Sequence, residues 1–193
     1  MKKTETEIKL YLADAASGAA LLAGAGFRVV KPRVHEQNVL WDTPDERLRA
    51  AGQLARIRTA GGQCLVTFKG PRQPDRHRSR PEAESEMSSP EALEAIFEAL
   101  GLAPRFRYEK FRTEFARPAE PGHVTLDETP IGCFLELEGE PAWIDAVARE
   151  LGFAEERYIT KSYGTLFLEH AAAHQVNPRE MTFAALGGQP KLP

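Results

Sequence analysis

The chain has 193 residues, 42% of them apolar, with 27% charged residues and a formal net charge of −3. That length suits one domain, or one and a half, able to bury a substantial core, and the charge balance excludes a globally basic nucleic-acid binder while leaving room for a local positive cavity. No apolar run approaches the roughly 18 residues of a membrane span, and Met1-Lys2-Lys3 leads straight into a charged segment, so the reading is a soluble, cytoplasmic protein.

Residues 4–12 alternate with a strand's period of two: Glu5, Glu7, Lys9 and Tyr11 share one face, and Ile8, Leu10 and Leu12 the other. Two carboxylates and an ammonium so spaced are either a solvated sheet surface or the holders of a divalent cation and its accompanying anion. Residues 15–25, rich in Ala and Leu and stopped by Gly26, read as a helix. Residues 35–42 read as a strand ending at Thr43-Pro44, and 45–51 as a helical turn or connector. Segments 53–59 and 63–69 form a hairpin around Gly61-Gly62. Arg56 and Arg58 lie opposite Ala55 and Ile57 on the first arm, and Leu65, Thr67 and Lys69 lie opposite Cys64, Val66 and Phe68 on the second. The hairpin therefore presents Arg56, Arg58 and Lys69 together.

Residues 70–80 read as a Pro- and Arg-rich loop in which Arg72, Arg76, Arg78 and Arg80 are solvated charge. Glu82, Glu84 and Glu86 alternate on a strand, and Ser88-Ser89-Pro90-Glu91 caps a helix over 91–100 that Gly101 stops. Residues 105–115 form a further strand with both faces mixed: Tyr108, Lys110, Arg112 and Glu114 against Glu109, Phe111, Thr113 and Phe115. Strands 123–127 and 133–138 flank a turn at 128–132, with Phe134, Glu136 and Glu138 opposite Cys133, Leu135 and Leu137. An amphipathic helix over 141–151 carries Ile144, Val147, Ala148 and Leu151 on its apolar face and ends at Gly152. A last helix is expected from 159 to about 174, and 177–193 reads as a loose tail. Cys64 and Cys133 each alternate with apolar residues, the pattern of buried reduced thiols rather than a disulfide or metal pair.

Strands with one apolar and one charged face, joined by hairpins, fit two architectures. Charged faces outward make an open sheet with helices on one side, which composition alone favours. Charged faces inward make a closed antiparallel barrel with helices over its apolar outside. The interior of such a barrel holds so many charges that it requires pairing, water or a charged guest.

The ordered residues resemble those of CYTH domains, the triphosphate tunnel metalloenzymes. The carriers are Glu5-Thr6-Glu7-Ile8-Lys9, Leu54-Ala55-Arg56-Ile57-Arg58, Thr67-Phe68-Lys69-Gly70 and Glu84-Ser85-Glu86, followed by Lys110-Phe111-Arg112, Asp127, Glu136-Leu137-Glu138 and Lys161-Ser162-Tyr163. The resemblance spans roughly residues 4–168 and implies an α+β fold, an eight-stranded antiparallel β-barrel forming a tunnel with helices packed outside; the domain is read as residues 1–176, and the Arg-rich loop and the tail at 177–193 are not covered by the resemblance. It implies that Lys9, Arg56, Arg58, Lys69, Lys110, Arg112 and Lys161 grip a triphosphate, and that Glu5, Glu7, Glu136 and Glu138 hold Mg²⁺ or Mn²⁺. Glu5, Glu7, Lys9 and Lys69 are then the catalytic set. Glu84, Glu86 and Asp127 are either helpers or internal partners of the arginines.

Two chemistries suit that resemblance. Water attacking the terminal phosphorus hydrolyses tripolyphosphate, thiamine triphosphate or ATP. A ribose 3′-hydroxyl attacking the α-phosphorus makes a class IV adenylate cyclase. A third reading, of another class, is a polyphosphate-binding module without turnover. No membrane or duplex nucleic-acid partner is expected, and the oligomeric state, a homodimer included, stays open. Other signatures are weaker: His170 and His174 enclose Ala171-Ala172-Ala173 without the metalloprotease glutamate, and neither a P-loop nor a Gly-x-Ser-x-Gly elbow occurs.

Overall fold

In the computed structural model, which describes residues 3–71 and 77–187, the alternating segments become the staves of a closed barrel. They are β1 (Lys3–Leu12), β2 (Arg28–Asp42), β3 (Leu54–Ala60), β4 (Gln63–Lys69), β5 (Arg78–Met87), β6 (Ala103–Ala116), β7 (His123–Thr129) and β8 (Gly132–Glu138). Their spatial order is β2-β3-β4-β5-β1-β8-β7-β6, and pairing of β2 with β6 closes the ring. All of these neighbours run antiparallel. A short ninth strand, β9 (Glu180–Met181), lies parallel to β6. Five helices complete the described fold: α1 (Ala15–Gly24), α2 (Arg47–Ala50), α3 (Pro90–Ala99), α4 (Pro141–Glu150) and α5 (Tyr163–His174).

The charged faces point inward. The apolar faces of β1, β7 and β8, including Ile8, Leu10, Leu126, Leu135 and Leu137, pack outside the barrel against Leu22 of α1 and Ile144 and Val147 of α4. Trp41, Ala55 and Ile57 likewise pack against Leu93 of α3. Each amphipathic helix covers a patch of barrel wall, so the hydrophobic effect acts between wall and helices. At one end apolar groups face inward. There Tyr108 and Phe134, which alternate with Lys110 and Glu136, meet Tyr163 and Phe167 of α5, and the helix caps that end. The β3–β4 turn uses Gly61 and Gly62 with φ of 55° and 82°, the positive values a tight hairpin twist demands.

Several expectations are corrected. β2 starts at Arg28 rather than residue 35. Its first part pairs only with β6, and register shifts between Val29, Lys31 and Val34 bracket Pro32, which has no N–H to share. β5 starts at Arg78, so Arg78 and Arg80 belong to the barrel wall, not to a solvated loop; Arg72 and Arg76 lie outside the described residues. α5 begins at Tyr163 with Ser162 as its N-cap. Ile159 is instead extended and exchanges two backbone hydrogen bonds of 2.9 Å with Lys9, continuing the edge of β1 that β5 leaves after Glu7. The segment expected to be loose is packed as far as it is described: Met181 and Phe183 are buried, and Glu109 accepts a 2.6 Å hydrogen bond from the Phe183 N–H. Cys64 and Cys133 are both free, the first buried and the second half-buried. No helix among the described residues is long and apolar enough to cross a membrane.

Candidate active site

Pleating alone decides which side chains reach the interior, because alternate residues of each stave point inward. Glu5, Glu7 and Lys9 of β1, Arg56 and Arg58 of β3, Lys69 of β4, Lys110 and Arg112 of β6, and Glu136 and Glu138 of β8 line one cavity of about 90 Å³. Asp127 of β7 is fully buried behind Lys110 and Arg112. This volume holds only a few waters, since the side chains fill the tunnel by pairing with one another.

The pairing is specific. Lys69 Nζ lies 2.5 and 2.6 Å from the two oxygens of Glu5, and Arg80 approaches the same carboxylate at 3.4 Å. Lys9 sits 2.9 Å from both Glu7 and Glu136, while Arg78 donates to Glu7. Arg112 makes a bidentate contact with Asp127 at 2.7 and 2.6 Å and also reaches Glu136. Lys110 and the Tyr163 hydroxyl each donate to Asp127 at 2.7 Å. Arg58 donates to Asn38 and Glu36 at 3.0 and 3.3 Å, and Arg56 to Thr67 at 3.0 Å.

Burial disfavours the charged forms of Glu7, Glu136, Glu36, Lys69 and Arg58, and the neighbours decide the outcome. For Glu7 burial pushes upward, but Lys9 and Arg78 outweigh it and hold the carboxyl well below the ordinary range. Burial likewise opposes ionisation of Glu136, where Lys9 and Arg112 prevail. Glu36 falls to about 2, burial being overcome by Lys110 and Arg112. Lys69 and Arg58 move the other way: burial, then the like charge of Arg56, depresses both. Arg56 and Arg112 shift upward instead, burial being overcome by Tyr108 for the first and by Asp127 and Glu136 for the second, so the repulsion from Arg56 tells on Lys69 and Arg58.

The acidic side suits a divalent metal in its chemistry. Carboxylate oxygens are the donors that Mg²⁺ and Mn²⁺ prefer. Glu5, Glu7, Glu136 and Glu138 share the inward face of two paired strands, with Glu7 opposite Glu138. Glu7 feels the charge of both Glu5 and Glu136. Among the described residues no three such groups converge into a cage, because Lys69, Lys9, Arg78 and Arg112 occupy their oxygens. The donors fit the ion, and closing around it requires those cations to turn elsewhere.

Lys161 is not brought to this cavity: it is exposed, with Nζ 2.7 and 2.9 Å from Glu169, and its neighbour Tyr163 reaches the tunnel instead. Glu84 sits at the rim, accepting from Thr67 and Arg56, and Glu86 is exposed beside Gln63. Arg78, Arg80, Glu36 and Asn38 reach the interior although the sequence reading gave them no place in the site, whereas Tyr108 shares the face read for Lys110 and Arg112 and Tyr163 belongs to the quoted Lys161-Ser162-Tyr163. The signal for the arginines was present, since Arg78 and Arg80 continue the alternation of Glu82 and Glu84 backwards.

A family model described as the CYTH domain matches residues 3–163. The chain belongs to the CYTH family. A CYTH relative from Methanocaldococcus jannaschii, provisionally named an adenylate cyclase, is 26% identical over 170 residues, covering 82% of this chain and 95% of the relative. Among solved structures, a protein of Vibrio parahaemolyticus, also provisionally named an adenylate cyclase, superposes with a TM-score of 0.73 at 19% identity, covering 86% of this chain and 98% of its own. A provisionally named adenylyl cyclase from Hippeastrum, described as having a dominant triphosphatase activity, gives 0.62 at 18% identity, covering 89% and 96%. At these identities the structural likenesses concern the tunnel fold.

Proposed function

We propose that this CYTH protein is a divalent-metal-dependent triphosphatase acting inside the tunnel. The observation that carries the reading is one buried cavity largely divided between carboxylates on β1 and β8 and cations on β3, β4, β5 and β6, Lys9 of β1 being the cation set among the carboxylates. A triphosphate with its metal matches such a divided cavity, because its oxygens can take over the cations while the ion takes over the carboxylates.

In this reading Arg56, Arg58 and Arg112 hold phosphate oxygens in the bidentate manner guanidinium groups favour. Lys9, Lys69 and Lys110 add point charges along the chain of phosphates. Glu5, Glu7, Glu136 and Glu138 hold Mg²⁺ or Mn²⁺, which would supply neutralisation of the developing phosphate charge. Asp127, gripped by Lys110, Arg112 and Tyr163, positions the first two. Lys161 acts here only if its pairing with Glu169 breaks. Excluding bulk water from so narrow a cavity strengthens each of these contacts.

The relationship to the M. jannaschii protein favours a second reading, cyclisation of ATP, in which the same cations hold the phosphates and a ribose hydroxyl replaces water. Incubating the purified protein with tripolyphosphate, thiamine triphosphate and ATP, each with Mg²⁺ or Mn²⁺, separates the two. Orthophosphate release is the expected result. Cyclic AMP with pyrophosphate instead assigns the cyclase, and tight binding without any product assigns a polyphosphate-binding module.

A further inference from the structure

The face that carries the carboxylates continues from β1 and β8 onto β7. Across these three strands the register sets Glu7 beside Glu138 and Glu138 beside His123. One step along, it sets Lys9 beside Glu136 and Glu136 beside Thr125. Val124 and Leu126 pack outside the barrel, so pleating turns His123, Thr125 and Asp127 to the inner side. Asp127 is taken by Lys110 and Arg112, which leaves an imidazole and a hydroxyl beside the carboxylates.

Two observations concern that pair. His123 Nε2 lies 3.6 Å from Glu138 Oε2. This is too long for a hydrogen bond and inside the roughly 4 Å that two donors of one ion span at most. The two side chains are 31% and 26% exposed, open enough for a hydrated ion to reach. Thr125 is 3% exposed, and its Oγ1 is buried with no partner among the described residues. Buried hydroxyls are ordinarily satisfied by protein, water or ligand, and the waters that a hard ion retains are such partners.

An imidazole changes which ion a carboxylate wall selects. Mg²⁺ takes oxygen donors in a near-ideal octahedron and dehydrates reluctantly. Imidazole is instead a donor for first-row transition ions, and among these Mn²⁺ is the one that carboxylates also suit. We infer that His123 is a ligand of the tunnel's divalent ion alongside Glu138, and that it makes the site favour Mn²⁺ over Mg²⁺. The inference rests on the metal reading above, in which carboxylates alone hold the ion. An ordinary ion pair at the rim is the alternative.

The test reads the bound ion directly. Mn²⁺ is added to wild type, His123→Ala and His123→Gln with a methylene-bridged tripolyphosphate, which contains no nitrogen, held below the protein concentration. Electron spin echo spectra then report the nitrogen modulation that a coordinated imidazole produces. Titration with Mn²⁺, alone and against Mg²⁺, gives both affinities, and circular dichroism checks folding. Wild type should show the modulation and both variants should lose it. Their Mn²⁺ affinity should fall by about tenfold and their Mg²⁺ affinity by less than about threefold, the first being the lower end of the effect of disturbing contacts around a metal. Wild type that binds Mn²⁺ without the modulation overturns the inference, whether or not a variant folds. Modulation that survives in His123→Ala, or equal loss of both ions, overturns it too, and in each case the carboxylate site stands. Wild type that binds neither ion overturns the metal reading itself.

Discussion

Lys9 is only 1% exposed and lies 2.9 Å from two carboxylates, Glu7 and Glu136. A buried ion pair is weakly stabilising as a whole but costly to break, because the surviving charge is left without water or partner. Glu7→Gln should therefore have two effects. In ligand-free protein it leaves Arg78 without its carboxylate and should lower the melting temperature. With substrate, it should weaken metal-dependent turnover by about 10- to 100-fold, the scale of disturbing a metal's supporting contacts. A metal titration of activity beside a thermal melt reads both, and near-wild-type turnover at all metal concentrations would sink the metal assignment. Acid provides a second handle at this scale. The folded pKa of Glu36, about 2, lies below its ordinary value of 4.5, so its stabilising contribution is complete above pH 4.5 and is lost as pH falls towards 2. Glu5, Glu7 and Glu136 shift in the same direction. Calorimetric melts should show little change between pH 7 and 5 from these groups and a steep decline below 4.5, shallower in Glu36→Gln.

The element most open to test is the C-terminal segment with α5. Ser162 caps α5 by accepting the Thr165 N–H at 3.1 Å, and the helix then places Tyr163 on Asp127 and within 5.0 Å of both Lys9 and Lys110. Ser162→Ala should cost about 1 kcal/mol, lowering the melting temperature by roughly 2–4 °C. Removing everything after residue 176 withdraws Met181 and Phe183 from the cluster and contact they complete on β6. Burial of such side chains contributes roughly 1.5–3 kcal/mol each, so the truncated protein should melt several degrees lower. An unchanged melt would mean that the segment is as loose in solution as its composition suggested.

As a whole, the barrel stores its charges in pairs that a ligand must rearrange. The tunnel cavity of about 90 Å³ admits a triphosphate only as Lys69, Lys9 and Arg112 exchange carboxylates for phosphate oxygens. Binding still shifts the folding equilibrium by mass action: ligand at about a hundred times its dissociation constant adds roughly 2.7 kcal/mol. For a chain of this length that corresponds to a rise of roughly 5–11 °C. A slowly hydrolysed triphosphate analogue with Mg²⁺, compared with buffer at matched ionic strength, should produce that rise. Absence of a shift at saturating analogue would remove the charged tunnel as a binding site.

Much of this was legible in the chain itself, because a strand's alternation is local. Glu5, Glu7, Lys9, Arg56, Arg58, Lys69, Glu136 and Glu138 could be placed on common faces from spacing alone, and the glycine stops after the helices mark their ends without reference to anything distant. Which way those faces point is not local. It depends on whether β2 meets β6, a closure made by residues far apart in sequence, and only then does an apolar face become the outside of a barrel. The same holds for the residues that were missed or misplaced. Arg78 and Arg80 sit in a Pro- and Arg-rich stretch whose polarity reads as loop until pairing with Glu7 and Glu5 makes it a wall. Lys161 stands beside a tunnel residue, yet the turn before α5 sends its side chain to Glu169. Met181 and Phe183 are too few to announce a strand, and they are ordered by the surface of β6 and α5 that receives them. Local periodicity therefore decided the faces, while closure of the ring decided which groups share the cavity and how their charges are paired.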